Sequence, residues 1–74
     1  MEQKLKTVVA DILGIAAEEV TDDLSPATNG SWDSLNHMNI ITAVEKEFGI
    51  AMTMSDIQSI TDFASLIAVV DKLS

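Results

Sequence analysis

Residues 30–49 read Gly30-Ser31-Trp32-Asp33-Ser34-Leu35-Asn36-His37-Met38-Asn39-Ile40-Ile41-Thr42-Ala43-Val44-Glu45-Lys46-Glu47-Phe48-Gly49. Ile40, Ile41, Val44 and Phe48 recur at the spacing of a helix that buries one face. Gly49 marks its end. Asp33 is suited to cap its start, because a carboxylate there accepts amide hydrogens that the first turn leaves unpaired. Leu35, Met38 and Thr42 fall on a strip rotated away from the buried stripe. Burying that strip as well would need cover on two sides, so it is expected to remain partly exposed.

Upstream, Leu5, Val8, Val9, Ile12 and Leu13 follow the same helical period and predict a first helix from Glu2 to Leu13, with Gly14 as its stop. Residues 15–33 carry no sustained period. They contain the acids Glu18, Glu19, Asp22 and Asp23, then the turn signals Ser25-Pro26 and Asn29-Gly30. A connection this long inside a small domain is expected to carry a function or a short turn of its own. Downstream, Ser55-Asp56-Ile57-Gln58 resembles a capping box that opens a short third helix through Ser59. Thr61 is placed to cap a fourth helix ending at Leu73, with Phe63, Leu66, Ile67 and Val70 facing inward. No segment alternates with period 2 and none repeats. The expected fold is all-α: one domain over residues 1–74, a small four-helix bundle with a long loop between helices 1 and 2 and a short third helix.

Composition narrows the function. The 74 residues hold 12 Asp+Glu against four Lys and no Arg, a formal charge of −8. Such a chain is repelled by nucleic-acid phosphates and by anionic membrane surfaces, and its expected counterparts are proteins with basic docking surfaces. The absence of Cys excludes a disulfide framework and any cysteine nucleophile or thiolate metal ligand from the chain itself. A domain of this size buries only about 60% of the surface of its unfolded chain, which leaves little interior for a walled catalytic cleft. A binding or carrier role is favoured over an enzyme. No apolar run is long enough for a membrane span, and the N-terminal residues lack the apolar core of a secretory signal. The expectation is a cytoplasmic monomer.

The stretch Asp33-Ser34-Leu35 at the start of helix 2 resembles the attachment motif of the acyl carrier protein family. The resemblance continues through Leu35, Met38, Ile40, Ile41 and Val44, through Glu45-Lys46-Glu47-Phe48-Gly49-Ile50, and on to Asp56-Ile57 and the last helix, so that it covers essentially the whole chain. It implies that Ser34 receives 4′-phosphopantetheine from coenzyme A through a separate phosphopantetheinyl transferase. The arm's terminal thiol would then hold acyl intermediates as thioesters, which accounts for a carrier without cysteine. It further implies docking to acyl-activating, acyltransferase or synthase enzymes. Leu35 and Met38 would supply apolar contact there, and Asp33, Glu45, Glu47 and Asp56 would supply charge. Physically, a hydroxyl on the first turn of a helix sits among amide hydrogens that favour a phosphate.

Helix 2 departs from the fatty-acid type of that family. Positions commonly acidic there are Asn36, Asn39 and Lys46 here, and Thr42 stands where a larger apolar residue is usual. From Asp33 to Asp56 four acids face one Lys, a formal −3. Fatty-acid-like, polyketide or other specialised acyl transfer all fit; an aminoacyl or peptidyl carrier and an unmodified acidic helical adaptor are the alternatives.

Other motifs carry less. Asp33, Ser34 and His37 contain the residue types of a hydrolase triad, but adjacent Asp33 and Ser34 cannot place the acid behind the imidazole, and no oxyanion hole is in prospect. His37 is instead expected to pack at the edge of the helix 2 apolar face. One His and no Cys offer no transition-metal site, and the acidic loop lacks the spacing of a calcium-binding loop. Asn29-Gly30-Ser31 matches a glycosylation acceptor without a secretory context. Trp32 is expected to anchor the long loop against the bundle.

Overall fold

The computed structural model describes residues 1–74. It contains α1 (Glu2–Leu13), a 3-10 turn at Ala17–Glu19, α2 (Ser34–Phe48), α3 (Met54–Ser59) and α4 (Phe63–Leu73), and no strand. The first helix has the limits expected from its apolar period. It stops because Gly14 turns left-handed (φ 71°), and the Gly14 amide donates to the Ala10 carbonyl. Gly49 ends α2 in the same way at φ 64°, with its amide donating to Glu45. Leu5, Val9, Ala10 and Leu13 from α1 join Ile40, Ile41 and Val44 from α2 and Phe63, Leu66, Val69 and Val70 from α4 in one buried cluster. Val20, Leu24 and Trp32 bring the long connection into that same core.

The connection between α1 and α2 is therefore structural. Its backbone also completes the start of α4, where four amide groups have no partner within their own helix. The Phe63 amide donates to the Leu24 carbonyl at 2.9 Å and the Ala64 amide to Asp22 at 3.0 Å. Asp62 accepts from the Ser65 amide through its side chain and from the Leu66 amide through its carbonyl.

Two caps differ from expectation. The box that opens α3 is Thr53 with Asp56, not Ser55 with Gln58. Thr53 Oγ1 accepts from the Asp56 amide and Asp56 Oδ2 from the Thr53 amide, both at 3.1 Å. Ser55 lies inside the helix, which begins at Met54. The cap of α4 is Asp62, not Thr61. Asp62 has the extended backbone of a cap residue, and its carboxylate reaches the Ser65 amide at 2.8 Å. The inward face of α4 is also rotated: Val69 is buried, while Ile67 is only half-buried.

The short α3 is held by more than its cap. Lys72 of α4 donates to Asp56 Oδ1, and Asp56 is itself buried. That ammonium is the largest influence holding the Asp56 carboxyl below its ordinary value; the Thr53 amide adds to it, and desolvation opposes it.

Candidate functional site

Asp33 caps α2 as expected. Its backbone is extended, and Oδ1 accepts from the Asn36 amide at 2.9 Å. The Asp33 carbonyl takes the His37 amide at 2.8 Å. The amides of Ser34 and Leu35 are then left without a protein acceptor. Ser34 is exposed, and none of the side-chain hydrogen bonds around the helix start uses its hydroxyl. The site thus presents a free hydroxyl beside two unpaired amide donors at the positive end of a 15-residue helix.

The approach to this corner is fixed by side chains whose role composition alone did not disclose. Asn36 Nδ2 donates to the Ser31 carbonyl at 2.7 Å, and Asn39 donates to Asn36 Oδ1 at 3.1 Å. Ser31 in turn donates its amide to Asn29 Oδ1 at 2.8 Å. Behind Ser34, Trp32 is 1% exposed, and its indole Nε1 donates to His37 Nδ1 at 3.0 Å. The expectation that Trp32 anchors the loop holds. The half-buried His37 does more than pack at an edge: its Nε2 lies 3.2 Å from the Ile57 carbonyl on α3. Because indole N–H can only donate, Nδ1 is the acceptor, and the Nε2–H donates to the Ile57 carbonyl.

An open groove runs past Ser34, lined by Ser25, Pro26 and Ala27 of the long connection, by Trp32, His37 and Met38, and by Ile60 and Thr61. Leu35 and Met38 are 72% and 46% exposed, in keeping with the rotated strip read from the sequence. Asp33 is exposed beside them.

The remaining acids are placed differently. Glu45 is half-buried, and Oε2 accepts from the Met52 amide at 2.8 Å, tying α2 to the connection that follows it. Glu47 lies 3.8 Å from Lys4 of α1, about 20 Å along the helix from Ser34. Asp56 is 7% exposed and engaged by Lys72 and Thr53. The structure therefore brings Asp33, Ser34, Leu35 and Met38 together and leaves Glu45, Glu47 and Asp56 outside that corner. No group of His, Asp or Glu side chains is arranged to hold a metal ion, and no helix is long and apolar enough to cross a membrane.

Comparison with known proteins agrees with this geometry. The family model described as "Phosphopantetheine attachment site" matches residues 3–70. An acyl carrier protein of Nitratidesulfovibrio vulgaris is 38% identical over 60 residues, which are 81% of this chain and 79% of that protein. The polyketide-8 synthase acyl carrier protein 2 of Streptomyces avermitilis is 35% identical over 60 residues, covering 81% and 69% of the two chains. The solution structure of a holo acyl carrier protein from Geobacter metallireducens superimposes with a TM-score of 0.86 at 25% identity, over 97% of this chain and 83% of that one. The four helices, their order, the serine at the head of α2 and these matches lead to one conclusion: the chain belongs to the acyl carrier protein family.

Proposed function

We propose that Ser34 is the residue that carries 4′-phosphopantetheine, and that the chain acts as a carrier and catalyses no reaction of its own. The observation that carries this reading is the free, exposed Ser34 hydroxyl beside the unpaired amides of Ser34 and Leu35. Those donors and the helix dipole fit the phosphodiester that would link the group to the serine oxygen. When bound, the group supplies the terminal thiol that a cysteine-free chain lacks, and that thiol holds an acyl group as a thioester. The chain's own residues position and present: Asp33 fixes the helix start, Asn36 holds the Ser31 carbonyl, and Leu35 and Met38 offer apolar contact beside the site. A flexible tether raises the effective concentration of one carried group at several enzymes in turn, without tight docking.

Enzymes with basic surfaces are the proposed partners, among them a phosphopantetheinyl transferase and the acyl-activating, acyltransferase or synthase enzymes of a cytoplasmic pathway. Asp33, Leu35 and Met38 form the centre of the proposed docking face. Glu47 offers a charge at its far end, whereas Glu45 and Asp56 are already committed within the protein. With Asn36, Asn39 and Lys46 on α2 this face is only weakly acidic, which favours a specialised acyl-transfer pathway with its own dedicated enzymes over steering by charge alone.

The test is incubation with coenzyme A and a broad-specificity phosphopantetheinyl transferase, followed by intact mass. A gain of one phosphopantetheine is expected for the wild type and none for Ser34→Ala. A folded wild type that gains nothing overturns the assignment and leaves the acidic-adaptor reading in its place.

A further inference from the structure

The groove beside Ser34 and the helical interior are two different places for a carried group, and the structure separates them. Trp32 joins the end of the long connection to α2 through His37, and His37 joins α2 to α3 through the Ile57 carbonyl. His37 stands one turn beyond Ser34 on the same side of the helix, where residues three apart are neighbours. A group entering between α2 and α3 from Ser34 meets this brace first. Beyond it Ile41, Val44, Phe63 and Leu66 are at most 2% exposed and packed together. The only two concavities are open surface grooves, and neither is lined by those four residues. Letting a chain in would require the helices to part, and the His37 link resists that movement.

We propose that the Trp32–His37–Ile57 brace sets the cargo of this carrier: it closes the seam between α2 and α3, so that the carried group lies in the surface groove and the protein is suited to short or polar acyl groups rather than long alkyl chains. The groove is open to solvent, and Ser25 and Thr61 stand among a mainly apolar lining that includes Pro26, Met38 and Ile60. A long alkyl chain held there would keep its open side in water and outrun the groove, which the hydrophobic effect disfavours increasingly with its length. His37 is a positioning residue in this scheme, acting through Ile57 and Trp32. The inference rests on Ser34 as the attachment residue.

The experiment loads the full chain separately with acetyl-, 3-hydroxybutyryl- and octanoyl-phosphopantetheine from the corresponding coenzyme A thioesters. Intact mass verifies each form. Methyl NMR shifts of Ile41, Val44 and Leu66 then report entry into the core, and the rate of thioester cleavage by hydroxylamine reports shielding. In the wild type the core methyl shifts are expected to be the same in all three forms, with octanoyl and acetyl cleavage rates within about twofold, because neither thioester is protected by structure. In His37→Ala the octanoyl form is expected to shift those methyls and to be cleaved more slowly, on the order of fivefold or more. His37→Gln, which keeps a donor for Ile57, is expected to restore wild-type behaviour. Core shifts or slowed octanoyl cleavage in the wild type overturn the proposal. So does a folded His37→Ala variant that leaves the octanoyl group as accessible as before. If His37→Ala does not fold, the wild-type and His37→Gln measurements decide. A wild type that gains no mass overturns the Ser34 assignment and this inference together, whereas a loaded wild type with a shielded octanoyl chain overturns this inference alone.

Discussion

The Phe63 amide donates to the Leu24 carbonyl at 2.9 Å, although 39 positions separate them in the chain. Through this bond and its neighbour from Ala64 to Asp22, the long first connection supplies acceptors that α4 lacks at its own start. The N-terminal turn of α2 has the opposite arrangement. Its Ser34 and Leu35 amides have no acceptor, and that is where the exposed hydroxyl stands.

Amide hydrogen exchange on the unmodified chain should show this contrast directly. Phe63 and Ala64 should exchange slowly for residues at a helix start, and Ser34 and Leu35 should exchange near their unstructured rates. A separation on the order of a hundredfold or more is expected, since the first pair is released only when the connection lifts from the bundle. Equal rates at the two helix starts would mean that residues 22–24 detach freely, and that the loop does not brace the site from behind.

Much of this arrangement was legible in the sequence. The apolar period of α1 and the glycines after it and after α2 give the helix limits directly, because helical spacing and left-handed turns leave local marks. Ser34 and its cap Asp33 are adjacent in sequence, so the attachment corner is local as well. The caps of α3 and α4 were harder to read. Thr53 and Ser55, or Thr61 and Asp62, are equally plausible by residue type, and the choice follows from which side chain reaches the third amide of the turn. Asp56 reads as a surface charge because the Lys that engages it is 16 residues away on another helix. The link behind Ser34 depends on Trp32, His37 and Ile57 meeting across three elements, and no spacing in the sequence encodes that meeting.

The Asp56–Lys72 contact predicts a pH dependence of stability with a definite sign. Hydrogen bonding to Lys72 and Thr53 lowers the Asp56 pKa from 3.8 in the folded protein. A carboxyl whose folded value is depressed contributes stability above its unfolded value and loses it as pH falls through the folded one. The contribution should therefore be complete above about pH 5 and should fade on acidification below the ordinary carboxyl range. Asp56→Asn is expected to lower the melting temperature at neutral pH. The gap from wild type should close progressively as pH falls below 3.8, the ordinary value for this carboxyl. Because the Lys72 side chain is 61% exposed, added salt should weaken part of the effect. A gap of constant size across the acid range would show that the substitution acts through packing or the Thr53 cap alone.

Leu35 and Leu66 test whether the exposed strip of α2 serves partners and not the fold. Leu66 is fully buried against the core, while Leu35 is 72% exposed one residue after Ser34. Leu66→Ala removes buried methyl groups and leaves a cavity, so a loss of about 2–5 kcal/mol is expected by denaturant unfolding. Leu35→Ala removes only solvent-facing surface and should change stability by no more than about 0.5 kcal/mol. Its effect should appear instead in phosphopantetheine loading: if Leu35 is one of the few residues that anchor the interface, its truncation is expected to cost about 1 kcal/mol, or roughly a fivefold fall in the second-order rate. Met38→Ala, on the same strip, should behave like Leu35→Ala but with a smaller loss, because less of its side chain is free to be covered. Normal loading by Leu35→Ala would move the docking face away from this strip, toward the loop residues on the other side of Ser34.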